Sequence, residues 1–160
     1  MEMLSVNDFT VFFQLALATL LGMGLGVERS IAGKTAGMRT YALVSLGSCL
    51  FTVTSILVSA AYIGVVDVDP LRIAAGIVTG IGFIGAGVII FRENTPRGLT
   101  TAAGLWVVSG IGVAVGFGLY GLAVFTTLLA LLVFTLMWYL ENRVKHFSES
   151  LNGHDDEVLE

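Results

Sequence analysis

The charged and hydroxyl side chains of this chain gather at a few points between long apolar stretches. Glu28 and Arg29 end the first stretch, and Arg39 and Thr40 open the second. A carboxylate and a guanidinium at this spacing can form a charge-assisted hydrogen bond across the link between the stretches. A Glu28–Arg39 pair would serve either as an anchor at a membrane interface, which is the simpler interpretation, or as a gate or docking surface.

A second cluster of charged side chains lies between the second and third apolar stretches. Asp69-Pro70 is typical of a helix start, with aspartate as the N-cap and proline in the first turn, and Arg72 can reach Asp69. Asp67 and Asp69 together could also offer oxygen ligands to a hard cation such as Mg²⁺. The sequence favours the helix cap and leaves the cation site open as the alternative.

A third cluster precedes the fourth apolar stretch, where Arg97 is followed by Thr100 and Thr101. The two hydroxyls could cap the helix that begins there. They could equally join the helix N-terminus in binding an anion or a phosphate group. The cap is the favoured interpretation.

A line of hydroxyl side chains runs along the second apolar stretch at alternating spacings of three and four residues. Such a spacing places them on one side of a helix, where they would either hydrogen-bond a neighbouring helix or form one wall of a polar path. Packing is favoured, because hydroxyls alone rarely make an ion path. This hydroxyl seam consists of Ser45, Ser48, Thr52, Ser55 and Ser59.

The glycines at 80–85 spell G-x-G-x-x-G but lack the context of a dinucleotide-binding loop, which needs a strand, a tight turn and a helix start. Inside an apolar run, glycine indicates a helix packed closely against others. We therefore expect the third stretch to be a central helix, with a lipid-facing stripe formed by Ile77, Ile81, Ile84 and Val88. The glycines predicted to pack helices are Gly22, Gly26, Gly76, Gly80, Gly82, Gly85, Gly87, Gly112 and Gly116.

The elements that position these groups are membrane helices. The chain has 160 residues, of which 56% are hydrophobic and 12% charged, against about 25% charged in soluble domains. A helix needs about 20 apolar residues to cross a bilayer, and the fourth stretch is short enough that a re-entrant segment is the alternative to a span. The five apolar stretches are Phe9–Val27, Tyr41–Ile63, Ile73–Phe91, Thr101–Val115 and Gly118–Leu140.

Five crossings place seven of the eight basic residues on one side, with Arg72 alone on the other. The positive-inside rule then predicts an external N-terminus and a cytoplasmic C-terminus. We expect an all-α membrane domain over 1–147 and an acidic, mostly disordered tail over 148–160.

A shift of 61 positions superposes identical residues at the helix ends that flank the two cytoplasmic links, which suggests a parallel repeat of a two-helix hairpin. Glycine-rich composition alone can also produce such identities. The matched pairs are Gly24–Gly85, Gly26–Gly87, Val27–Val88, Gly37–Gly98, Thr40–Thr101, Ala42–Ala103 and Ser48–Ser109.

Several functional classes are disfavoured. No basic face suited to nucleic acid is present, and the single cysteine, Cys49, rules out an internal disulfide. No nucleotide loop, catalytic triad or histidine cluster appears, and no carboxylate pair lies within the apolar stretches. We therefore expect neither an enzyme nor a cofactor, with Mg²⁺ as the one ion to consider.

Five ordered motifs between about Leu20 and Gly116 resemble the MgtC/SapB family of bacterial and archaeal membrane proteins. The resemblance implies a cytoplasmic-membrane protein linked to growth at low Mg²⁺, in some pathogens to survival inside macrophages, and in one branch to inhibition of ATP synthase. The chain is similar to a short form without the soluble C-terminal domain. The motifs are GVER (26–29), AGMRT with LVSLGS (36–48), DP-x-RIAA (69–75), GIGFIGAGVI (80–89) and GLTTAA-x-LW (98–106).

Two functional hypotheses follow. In the first, the protein acts through helix–helix contacts, as a homo-oligomer or on a membrane partner such as ATP synthase. In the second, it is a small Mg²⁺ transporter or channel with a path lined by the hydroxyl seam.

Overall fold

The computed structural model describes residues 8–62, 69, 71–92 and 94–155. Five helices in this part of the chain are long and apolar enough to cross a membrane, the last of them over Tyr120–Met137. The prediction of an all-helical membrane protein with five such helices is confirmed; the orientation and the repeat stay predictions. The helices are α1 (Asp8–Ile31), α2 (Met38–Ala61), α3 (Leu71–Val88), α4 (Leu99–Gly116) and α5 (Tyr120–Asp155).

Helix α4 corresponds to the short fourth stretch, for which the sequence left both a span and a re-entrant segment open. The predicted 15 apolar residues become an 18-residue helix, because Leu99 and Thr100 join its first turn and Gly116 its last. At 1.5 Å per residue the helix is about 27 Å long, close to the ~30 Å hydrocarbon core. Its length therefore fits a span.

A β-hairpin occupies the link between α3 and α4, where the sequence indicated only a short charged segment. Strands β1 (Ile90–Arg92) and β2 (Thr95–Arg97) pair antiparallel. Gly98 then adopts φ +91° directly before α4. A side chain at that position would collide with the carbonyl of Val88, so only glycine permits this close return.

The tail prediction needs correction over part of its length. Helix α5 continues to Asp155, so residues 148–155 extend the helix, where the sequence predicted a disordered tail. Residues 156–160 lie outside the described part of the chain.

Helix α4, and not α3, is the centre of the bundle. More than half of α4 is buried, against about a tenth of α3. Helices α1, α2, α3 and α5 all pack on α4, and α1 packs extensively on α2. The expectation that α3 is the central helix is therefore wrong.

The stripe on α3 that was expected to face lipid is instead its packed face. Ile81 is 6% exposed, and Ile77 and Val88 are half-buried, while only Ile84 is exposed. Lipid and protein interior are equally apolar, so hydrophobicity alone cannot tell which stripe of a membrane helix faces inward.

Candidate functional site

The hydroxyl seam lies inside the bundle. Ser45, Ser48, Thr52 and Ser55 are all buried, and Ser59 is half-buried. The Oγ atoms of Ser48 and Ser109 form a hydrogen bond of 2.9 Å between α2 and α4. Because it joins two helices at a buried position, this bond contributes about 0.6–2 kcal/mol to their association.

Two glycines of α4 bring its backbone against the seam. A Cβ added to Gly112 would collide with the carbonyl oxygen of Ser45, and one added to Gly116 would lie 2.7 Å from the Cβ of Thr52. The Thr52 hydroxyl turns back within α2 and donates to the carbonyl of Ser48 at 2.8 Å. Helix α4 therefore packs directly on the seam.

Two hydroxyls of the seam have no hydrogen-bond partner in the described part of the chain. These are the buried Oγ atoms of Ser45 and Ser59. A buried hydroxyl without a partner costs about 1–3 kcal/mol, so these two positions lower the stability of the bundle. Packing between the described helices provides no hydrogen-bond partner for these two hydroxyls.

Gln14 ties α1 to the far end of α4 and was missed by the sequence analysis. Its buried side-chain Nε2 donates to the carbonyls of Val115 and Gly116 at 3.1 and 3.2 Å. These carbonyls belong to the last turn of α4, where the carbonyl of Val115 also accepts a 2.9 Å hydrogen bond from the amide of Gly118. An amide inside the otherwise apolar first stretch was the signal that could have identified this residue.

The ion pair at the basic end of the bundle, where the α1–α2 link and the β-hairpin lie, differs from the expected one. Glu28 binds Arg29, its neighbour in α1, while Arg39 is exposed. Arg29 is 3% exposed, and its guanidinium lies 3.7 Å from the centre of the Phe134 ring on α5. The expected Glu28–Arg39 pair is therefore wrong.

The groups around Arg29 stabilise its charge in a buried position. The last turn of a helix favours a cation, and the ring of Phe134 offers a cation–π surface. A buried arginine between an acid and an aromatic ring links α1 to α5. Sequence alone could not pair Arg29 with Phe134, because the two residues are more than 100 positions apart.

The threonines at the start of α4 do not cap it. Gly98 is the N-cap residue and no side chain bonds the first turn. Thr100 is exposed, whereas Thr101 is buried and its carbonyl accepts a 3.5 Å hydrogen bond from the hydroxyl of Tyr41. Arg97 is exposed on the hairpin, so the structure does not gather these groups around one anion site.

A cap that was not predicted occurs at α2. The Ser30 hydroxyl accepts a hydrogen bond of 3.0 Å from the amide of Met38, and Thr40 is half-buried in the same turn.

At the opposite end of the bundle, Asp69 lies at the start of α3 as expected. Its carboxylate accepts a 2.9 Å hydrogen bond from the amide of Leu71, which is the geometry of an N-cap. Arg72 is exposed and forms no ion pair with Asp69. Asp67 and Pro70 lie outside the described residues. Among those described, no three His, Cys, Asp or Glu side chains are close enough to hold a metal ion.

The glycines predicted to pack helices divide into two groups. Five of them contact another helix or lie close to one: Gly22 and Gly26 face α2, Gly85 faces Ala102, and Gly112 and Gly116 face the seam. For the other four, a Cβ built on the glycine meets no atom of another described element within 4 Å, which corrects their expected role within one subunit. These are Gly76, Gly80, Gly82 and Gly87, all on α3.

Comparison with known proteins identifies the family of the chain. The family model described as the MgtC family matches residues 15–143, which include α1 to α4 almost entirely and the apolar part of α5. The chain belongs to the MgtC family.

Three bacterial proteins are among the relatives of this MgtC-family chain. It is 40% identical over 154 residues to "Putative magnesium transporter YhiD" of Escherichia coli K12, covering 92% of this chain and 72% of YhiD. It is 41% identical over 131 residues to "Protein SapB" of Bacillus subtilis, covering 79% and 55%. It is 38% identical over 151 residues to "Protein MgtC" of Salmonella typhimurium LT2, covering 94% and 62%.

The resemblance that the sequence motifs indicated is thus confirmed. The chain spans little more than half of SapB and about three fifths of MgtC. No solved structure matches the chain.

Proposed function

We propose that this MgtC-family protein serves magnesium homeostasis in the cytoplasmic membrane as a non-enzymatic protein that acts through helix–helix contacts. Membership of the family and the name of the YhiD relative support the link to Mg²⁺. The observation that carries the mode of action is the packing of α4 against the hydroxyl seam. There the hydroxyls of Ser48 and Ser109 form a hydrogen bond, and the backbone of α4 at Gly112 packs directly against the backbone of Ser45.

The exposed side of α3 supports a contact with another membrane helix. Its outward stripe consists of small residues at spacings of four, three and four, namely Ala75, Thr79, Gly82 and Ala86, all exposed. Small residues allow two backbones to approach closely, and this approach drives association of membrane helices. The stripe could serve a second copy of the chain or a membrane partner.

The test compares growth and association in matched variants. Gly82→Leu places a bulky side chain on the outward stripe, and Gly24→Leu places one on α1, where a Cβ also meets nothing. We expect G82L to abolish both cross-linked oligomers and complementation of growth at limiting Mg²⁺, and G24L to retain both. Equal growth of the two variants would contradict the proposed contact surface.

A second candidate function is a small Mg²⁺ transporter with a path along the seam. The unpaired hydroxyls of Ser45 and Ser59 favour it, because they could replace part of a cation's hydration. Replacing Ser48, Thr52 and Ser55 together by alanine should then abolish Mg²⁺ uptake into proteoliposomes. Absence of uptake by the wild-type protein would exclude this candidate.

A further inference from the structure

A lateral groove separates α2 from α3. Its cavity is about 820 Å³, and its walls include Leu43, Gly47 and Phe51 of α2 and Gly76 and Gly80 of α3. The groove is open because these glycines lack side chains: a Cβ on Gly47, Gly76 or Gly80 would meet no atom of another described element within 4 Å.

Among the described residues that line the groove, one is charged, and it lies at one end. Arg39 lies at the start of α2 and is exposed, while the other lining residues are apolar except for Thr40 and the Ser48–Ser109 pair, whose hydroxyls bond each other. In the described part of the chain the one ion pair joins Arg29 to Glu28, so Arg39 is left with its charge available. An apolar slot with a single cation at its mouth matches an amphiphile with an anionic head.

The length of the groove also fits a lipid. Arg39, Leu43, Gly47 and Phe51 follow one another at intervals of four residues along one face of α2. Twelve residues of helix span about 18 Å. One leaflet contributes half of the ~30 Å hydrocarbon core, so acyl chains whose headgroup lies at Arg39 would end near Phe51.

We propose that this groove is a binding site for one anionic phospholipid, with the headgroup phosphate at Arg39 and the acyl chains between α2 and α3. Basic pockets between membrane helices on the cytoplasmic side bind anionic headgroups in this way. A second copy of the chain is the alternative occupant, and the groove-filling variants below distinguish it from a lipid. Within this subunit the nearby acid of α1, Glu28, already binds Arg29 and leaves Arg39 to an outside anion.

The site goes beyond the proposed contact function and uses a different face of α3. Gly80 lines the groove, whereas Gly82 lies on the outward stripe. Variants at these two positions therefore separate lipid binding from helix association.

Native mass spectrometry of the detergent-solubilised full chain tests the site, with dioleoyl phosphatidylglycerol and dioleoyl phosphatidylcholine as probes. We expect the wild type to retain phosphatidylglycerol preferentially. An interfacial arginine contributes about 1 kcal/mol, so Arg39→Gln should lower that preference about fivefold. Lys34→Gln, which removes an exposed charge from the α1–α2 link outside the groove, is the matched control and should leave it unchanged.

Filling the groove tests its shape independently of charge. Gly76→Leu combined with Gly80→Leu should abolish retention of both lipids, while Gly82→Leu should retain them as the wild type does. Equal lipid retention in G76L/G80L and the wild type, or equal preference in R39Q and the wild type, would show ordinary annular lipid and overturn the proposal. A loss of the oligomer without a loss of lipid in G76L/G80L would also overturn it, because the groove would then be a subunit interface.

Discussion

At the residue scale, Arg29 lies buried between the carboxylate of Glu28 and the ring of Phe134, where its guanidinium links α1 to α5. The basic residues between α1 and α2 look equivalent in the sequence, and each satisfies the positive-inside rule. Only the fold distinguishes them, because α5 brings Phe134 over Arg29 and leaves Lys34 and Arg39 exposed. A charge pattern predicts the side of the membrane on which a residue lies, but not the partner that it contacts.

Replacing Arg29 by alanine should therefore destabilise the protein, whereas replacing Lys34 should not. The change removes the partner of Glu28 and the cation over Phe134, and the loss of a charged hydrogen bond costs about 1.5–3 kcal/mol. Thermal unfolding in detergent measures the effect. Arg29→Lys should restore only part of the stability, because an ammonium lacks the planar face that stacks on the ring. Equal stability of R29A and K34A would contradict this account.

The Ser48–Ser109 hydrogen bond gives a second prediction at this scale. Ser48→Ala leaves the Ser109 hydroxyl buried without its partner, so the single change should cost about 1–3 kcal/mol. Adding Ser109→Ala should cost little more, because no unpaired hydroxyl then remains. The free energies of unfolding of the two single variants and the double variant form a double-mutant cycle, and additive losses would show that the two hydroxyls are not coupled.

At the element scale, the apolar stretches predicted the five helices, but not how they are arranged. The glycines of α3 and α4 look alike in the sequence, yet Gly112 and Gly116 pack on α2 while Gly76 and Gly80 border an open groove. Glycine indicates that close packing is possible, but the neighbour that uses it is set by the tertiary fold. The β-hairpin between α3 and α4 was missed for a related reason, since three-residue strands carry too short a pattern to detect.

Alanine substitutions at two glycines should have opposite effects on stability. Gly112→Ala forces a Cβ against the Ser45 backbone, and overpacking of this kind costs about 1–3 kcal/mol. Gly80→Ala meets no atom and adds helix propensity, so it should be neutral or stabilising by up to about 1 kcal/mol. Unfolding of both variants in mixed micelles provides the comparison. A destabilised G80A beside an unaffected G112A would contradict the arrangement of α3 and α4.

At the scale of the whole molecule, one contact agrees with the predicted repeat, in which equivalent residues are 61 positions apart. Ser48 and Ser109 are equivalent in that register, and they contact each other at the α2–α4 interface. A two-fold axis between the hairpins would bring such equivalent positions together. The register also equates Gln14, which binds the end of α4, with Ala75, which has no side-chain amide. The repeat remains a prediction. The two hairpins would differ at the groove beside α3.

The predicted orientation can be tested with cysteine variants at exposed positions. Lys34→Cys and Arg97→Cys should react with a membrane-impermeant maleimide only after the cells are opened, because both positions belong to the side predicted to be cytoplasmic. Tyr62→Cys, at the other end of α2, should react in intact cells. Each variant should also carry Cys49→Ala, which removes the buried native thiol. Labelling of the Arg97→Cys and Tyr62→Cys variants from the same side would contradict the prediction that the chain crosses the membrane five times.

The central claim is that the protein serves Mg²⁺ homeostasis through helix contacts and does not itself conduct the ion. The most direct measurement is Mg²⁺ flux into proteoliposomes, made on the same sample whose subunit number is determined. We expect flux no greater than that of empty liposomes, together with an oligomer that Gly82→Leu dissociates. Flux through the wild-type protein that disappears when Ser48, Thr52 and Ser55 are replaced by alanine would contradict it.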